Sequence, residues 1–175
     1  MWRTASFILL ITSIIPAWHT NAQEQLILQH YTMDDGLSNF WVTNAVQDPY
    51  GFMWFNADDK LTRFDGYNFN TYSFRLPDGK PLKFNRIYLM DIDDQGALWI
   101  IRIYQPLLSF DPVTGVYKTY SSADNNLPND AYAEVYCNKD LIWLGHGNGG
   151  GLSYINRKNG EIKNCLLYTS DAADD

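Results

Sequence analysis

A tryptophan recurs along this chain at a nearly constant interval, with Trp54, Trp99 and Trp143 separated by 45 and 44 residues. Aligned on them, DPYGFMW (Asp48 to Trp54) falls over DDQGALW (Asp93 to Trp99), and the third unit carries the shorter NKDLIW (Asn138 to Trp143). LTRFD (Leu61 to Asp65), LLSFD (Leu107 to Asp111) and GLSYIN (Gly151 to Asn156) follow in register. The first two units close on NTY (Asn70 to Tyr72) and KTY (Lys118 to Tyr120). Self-similarity at such a period means that each unit is one supersecondary element and that stacked neighbours build the core together.

The middle unit parses into four short strands. RIYLMDID (Arg86 to Asp93) alternates and suits an innermost strand. Asp94-Gln95-Gly96 is a turn whose glycine supplies a positive φ, and Gly51 does the same in the first unit. ALWII is the second strand, LLSFD the third, PVTG (Pro112 to Gly115) a turn and VYKTYS the fourth. Aromatic and β-branched residues at these positions favour strands. Four strands per unit at this period predict an all-β chain, a β-propeller fragment of three four-stranded antiparallel blades near 35–74, 84–121 and 125–164. The three tryptophans are expected to fill the space between neighbouring sheets, as are Phe64, Phe110 and Tyr154 on the third strands. Asp65-Gly66 and Asn159-Gly160 read as turns, not metal ligands. Residues 75–83 and 121–130, rich in Pro, Gly and Asn, link the blades.

The two ends read differently. Arg3 precedes the apolar run Phe7 to Ile15, Pro16 breaks it, and small residues lead to a cut after Ala22. This is the layout of a signal peptide over residues 1–22, and the run is far short of the ~20 residues a membrane span needs. Export is therefore expected. Residues 23–34 hold a strand-like segment, LILQHY (Leu26 to Tyr31), able to pair with a last blade and seal a ring. Cys165 to Asp175 (CLLYTSDAADD) matches the translation of a transposase adapter used in sequencing libraries, so residues 165–175 are expected to be foreign and the native chain to continue. Discounting Cys165 leaves Cys137 as a lone thiol instead of one half of a disulfide.

Composition narrows the function. Hydrophobic residues at 46% and aromatic residues at 15% can furnish a packed core. A net charge of -7 offers no basic patch for a nucleic acid.

DGLSNFWVTNAVQDPYGFMWF (Asp35 to Phe55) and LTRFDGYNFNTY (Leu61 to Tyr72) resemble the opening of the two-component regulator propellers. Asp48-x-x-Gly51-x-x-Trp54 followed by Leu61-x-x-Phe64-Asp65 carries the resemblance, which extends over about residues 30–160 and loosens in the third unit. The resemblance implies two consecutive periplasmic propellers, a β-sandwich, one membrane helix and a cytoplasmic histidine kinase, in a receptor dimer. Such proteins are common in Bacteroidetes, detect glycan fragments and switch on polysaccharide-utilisation genes. This chain departs from the family where Gly-Thr and Gly-Leu are usual. Asn56-Ala57 and Lys60-Leu61 stand there, and Ile101 to Pro106 replaces the loop in the second unit. The third unit keeps a glycine-rich form from Gly145 to Gly151.

Those departures fall on the loops between second and third strands, on the same rim as the links between blades. Loops on a rigid scaffold vary without disturbing the core, which makes this rim the expected ligand face. Asp58-Asp59-Lys60, Arg102 to Gln105, His146 and Asn148 lie there. Arg102 would pair with a carboxylate, Tyr104 would stack on a sugar ring, and His146 and Asn148 would donate hydrogen bonds. No closely spaced metal set exists, and no cofactor or catalytic residue is indicated. The run from Gly145 lacks the Lys-Ser/Thr ending of a phosphate loop. Besides a ligand-sensing ectodomain, the sequence leaves open a secreted propeller enzyme acting on polysaccharide and a protein-binding scaffold. It also leaves open a quinone-cofactor propeller, suggested by DPVTG (Asp111 to Gly115) but without a matching tryptophan after it.

Overall fold

Twelve short strands succeed one another in a computed structural model, which describes residues 28–57, 60–74 and 87–165. The signal segment with Ala22, the pair Asp58-Asp59, the first interblade link and the tail after Cys165 lie outside those residues. Packing divides the chain between His30 and Tyr31. Of the first unit, residues 28–30 carry no regular element.

The second unit opens with a single 3₁₀ turn, Met33–Asp35, capped at Thr32, whose backbone N–H donates to the Asp35 carboxylate at 2.7 Å. Three sheets follow. The first comprises β1 (Val42–Gln47), β2 (Met53–Ala57), β3 (Lys60–Phe64) and β4 (Phe69–Tyr72). The second comprises β5 (Ile87–Ile92), β6 (Leu98–Arg102), β7 (Leu107–Phe110) and β8 (Tyr117–Tyr120). After a one-turn helix, α1 (Ser122–Asn125), come β9 (Tyr132–Asn138), β10 (Leu141–His146), β11 (Gly151–Asn156) and β12 (Ile162–Cys165). Each sheet keeps its strands in chain order and pairs them antiparallel, so each is a four-stranded meander. These are the three blades expected from the repeat, and in the middle one the strand ends lie within one residue of the sequence reading. The strand-like segment before them is not a strand over its described part, residues 28–31, where no ladder partner satisfies its backbone.

The turn into each second strand explains why Asp, Gly and Trp recur together. The Asp48 carboxylate accepts the backbone N–H groups of Tyr50 and Phe52 at 2.9 and 3.0 Å. Gly51 closes the turn at φ 92°, and Gly96 repeats it at φ 85°. In the second blade Asp93 accepts from Gln95 and Ala97, both at 3.0 Å. The third blade spends one residue fewer here and turns through Lys139 at φ 53°.

Blades stack face to face, and the core lies between them. Between the first and second, Trp54, Leu61 and Phe74 meet Ile87, Leu98, Ile100 and Phe110. Between the second and third, Trp99, Ile101 and Leu107 meet Val135, Ile142, Leu144 and Ile155. Strand β6 alternates between the two cores and is buried throughout. Trp54 and Trp99 are fully sequestered, each against a tyrosine of the outermost strand, Tyr72 at 5.0 Å and Tyr120 at 5.4 Å. Trp143 differs. Its ring lies tilted against Tyr154, centroids 5.2 Å apart, and stays half-buried, because no described sheet covers that face.

Polar ties run from each innermost strand to the next. Met90 N–H donates to the Asn44 side chain at 3.2 Å, and Cys137 N–H donates to the Asp91 carboxylate at 2.6 Å. At the opposite rim Arg157 of the third blade reaches Asp94 of the second at 2.7 Å. Among the described residues no helix is long and apolar enough to cross a membrane.

Candidate functional site

The starts of the three innermost strands, the β6–β7 and β10–β11 loops, and the link from β8 to β9 share one rim. Each innermost strand carries a β-bulge at its start, between Val42 and Asn44, between Ile87 and Leu89, and opposite Gly145 and His146. The unpaired residues are Thr43, Tyr88 and Ala133, all exposed. A bulge leaves one residue out of the ladder and re-aims its side chain. In the first blade Asn56 stabilises this arrangement. Its fully buried amide oxygen accepts the N–H groups of Thr43 and Asn44 at 3.3 and 2.6 Å, and its Nδ2 donates to Thr43 Oγ1 at 2.8 Å. The residue standing where Gly-Thr is usual is therefore a local brace.

Among the described residues two adjoining clefts open on this rim. One, of about 290 Å³, lies between the second and third blades and brings Tyr104 and Asn148 together with Tyr88 and Ile103. Tyr104 and Asn148 both hold left-handed backbone, φ 50° and 51°, and Tyr104 is 78% exposed. The other, of about 620 Å³, lies between the first and second blades, lined by Asn39, Phe40, Trp41 and Thr43 on one side and Tyr88 and Ile103 on the other. Tyr88 and Ile103 thus belong to both.

Of the residues singled out in the sequence, Arg102 is placed otherwise than expected. It is 2% exposed, donates through Nη2 to the Pro106 carbonyl at 2.7 Å, and lines neither cleft. Burial holds its guanidinium below the usual arginine range, and its Nε is buried without a hydrogen-bond partner. Its position spans its own loop, which suits a structural strut better than a ligand clamp. His146 is also sequestered, 9% exposed, tilted against Tyr132 at 5.2 Å. Its Nδ1 lies 3.2 Å from the Asn129 carbonyl, which can only accept, so Nδ1 carries the proton and Nε2 is left without a partner. Burial pushes its pKa down. Tyr132 in turn has its phenol pushed up by burial and by Asp130. Lys60, at the start of β3, is exposed.

The larger cleft was not legible from the repeat. Phe40 and Trp41 precede the first strand, outside any alternating pattern, and are 80% and 59% exposed. Tyr88 sits inside a stretch that alternates as a strand, yet the bulge turns it out to 49% exposure. The available signal was the equal spacing of Thr43, Tyr88 and Ala133, at 45 residues each.

No protein-family model and no curated protein matches the chain. Solved structures do. The extracellular domain assigned to the hybrid two-component system BT4673 of B. thetaiotaomicron aligns at 17% identity and TM-score 0.56, over 79% of this chain and 18% of that one. The extracellular domain assigned to a one-component system BT4673 of the same organism aligns at 18% identity and TM-score 0.53, over 78% and 17%. That of the hybrid two-component system BT3049, also from B. thetaiotaomicron, aligns at 19% identity over 79% and 26%, with a TM-score of 0.43 that carries no argument. The chain thus spans between 17% and 26% of the length of these structures. These are extracellular domains of the kind the sequence resembles. At these identities the chain shares with the BT4673 extracellular domain its fold, consecutive four-stranded antiparallel blades stacked face to face.

Proposed function

We propose that this chain is the N-terminal part of a periplasmic, ligand-sensing propeller of a hybrid two-component sensor kinase. In this reading its ligand is a glycan fragment and its output is control of polysaccharide-utilisation genes. The observation that carries the reading is the open rim, where two adjoining clefts are built from loops that differ between blades above sheets that do not. A rigid scaffold with divergent rim loops is the arrangement recognition domains use. The fold shared with an extracellular domain assigned to a two-component system supports the sensor role.

The kinase and the dimer belong to the parent protein that this reading requires. Recovery of the native gene by long-read sequencing tests it. A downstream membrane helix followed by a histidine kinase is expected. A stop codon soon after position 164, with no membrane helix, contradicts it.

A further inference from the structure

We propose that the two rim clefts form one track for a neutral oligosaccharide, with Tyr88 as the aromatic surface shared by consecutive sugar subsites. The proposal rests on the sensor reading above and deepens it by fixing the place and the charge class of the ligand. Four aromatic side chains stand free along this rim, Phe40 at 80%, Trp41 at 59%, Tyr88 at 49% and Tyr104 at 78% exposure. Exposed aromatic faces of this kind supply large, rigid, amphipathic contact area. A pyranose ring presents such a face with apolar C–H bonds and carries hydroxyls around its edge.

Among the described residues, the polar groups along the track are few and uncharged. Asn39 already accepts the Trp41 N–H at 3.1 Å through Oδ1, which fixes its carboxamide and leaves Nδ2 to donate. Thr43 borders the larger cleft, and Asn148 borders the smaller one. In a chain with 19% charged residues, none of the described residues lining either cleft is charged. An anionic sugar would leave its carboxylate or sulfate without a counter-charge there, at a desolvation cost that nothing offsets. Sharing of Tyr88 and Ile103 between the clefts makes them continuous, so the length of ligand bound should exceed one ring.

The test uses the native full-length ectodomain on an array printed with neutral fragments of glucan, xylan, mannan and galactan beside pectic and sulfated fragments. The strongest neutral ligand is then titrated by calorimetry. Binding to a neutral fragment is expected, with affinity rising with fragment length. Tyr88→Ala should weaken it at least about tenfold, and Tyr88→Phe should keep it, since the ring makes the contact. Tyr67→Ala, on the opposite rim and 90% exposed, should leave it unchanged. Tyr88 is exposed, so an unaltered thermal melt separates lost binding from lost folding. Binding to anionic fragments alone, binding to none, or a Tyr88→Ala variant with unchanged affinity overturns the proposal. If the intact receptor answers a glycan in cells while Tyr88→Ala leaves that answer intact, this site falls and the sensor reading stands. A native gene without membrane helix and kinase removes the sensor reading, whatever the array returns.

Discussion

The indole N–H of Trp99 donates to the carboxylate of Asp93, six residues earlier, at 3.1 Å, and Trp54 does the same to Asp48 at 2.9 Å. One carboxylate thereby closes a turn with one oxygen and anchors the core tryptophan of the blade with the other. Asp93 is 2% exposed. Replacing it with alanine strips the acceptor from two turn amides and from a buried indole N–H. Asp93→Ala should destabilise the protein by about 2–3 kcal/mol in urea denaturation. Asp94→Ala removes only a surface partner of Arg157 and should cost under about 1 kcal/mol. Equal losses would contradict this division of roles.

Trp99 and Trp143 should part company on mutation. Trp99→Ala opens a cavity between two sheets and should cost about 3–5 kcal/mol. Trp143→Ala removes a half-buried ring and should cost about half as much. Chemical denaturation of the two variants checks the ranking, and a reversed order would place a covering sheet where none is described.

His146 gives a pH dependence with a definite sign. Burial holds its folded pKa below the ordinary 6.5, so the unfolded chain binds the proton more readily. Its contribution to stability is complete above 6.5 and is lost as pH falls from 6.5 towards the folded value. Thermal melts across that window should show a loss that His146→Gln removes. Identical pH profiles for both proteins would dismiss the effect.

A fragment of residues 23–164 leaves the Trp143 and Tyr154 face without a covering sheet. Uncovered apolar sheet faces recruit one another. Light scattering should find the fragment oligomeric or insoluble when it is expressed alone. A monodisperse monomer with a cooperative melt would contradict this.

The blades were legible because the residues that define them act locally. An aspartate that caps its own turn, a glycine at positive φ and an alternating strand all announce themselves within a few positions. Arg102 is buried by its neighbours, which its own chemistry does not announce. It occupies the end of a strand buried on both faces, and the Pro106 carbonyl four residues on is within its reach. The bulges were hidden for a different reason. In the first blade the bulge rests on Asn56 meeting Thr43 across the sheet, a pairing that no local pattern carries. With the bulges went Tyr88, and with Tyr88 the larger cleft.

A crystal structure of the native full-length ectodomain tests the architecture most directly. Trp54, Trp99 and Trp143 should occupy the same position in three consecutive sheets, the first two donating to Asp48 and Asp93. Indoles gathered within one sandwich, or in unlike surroundings, would contradict it.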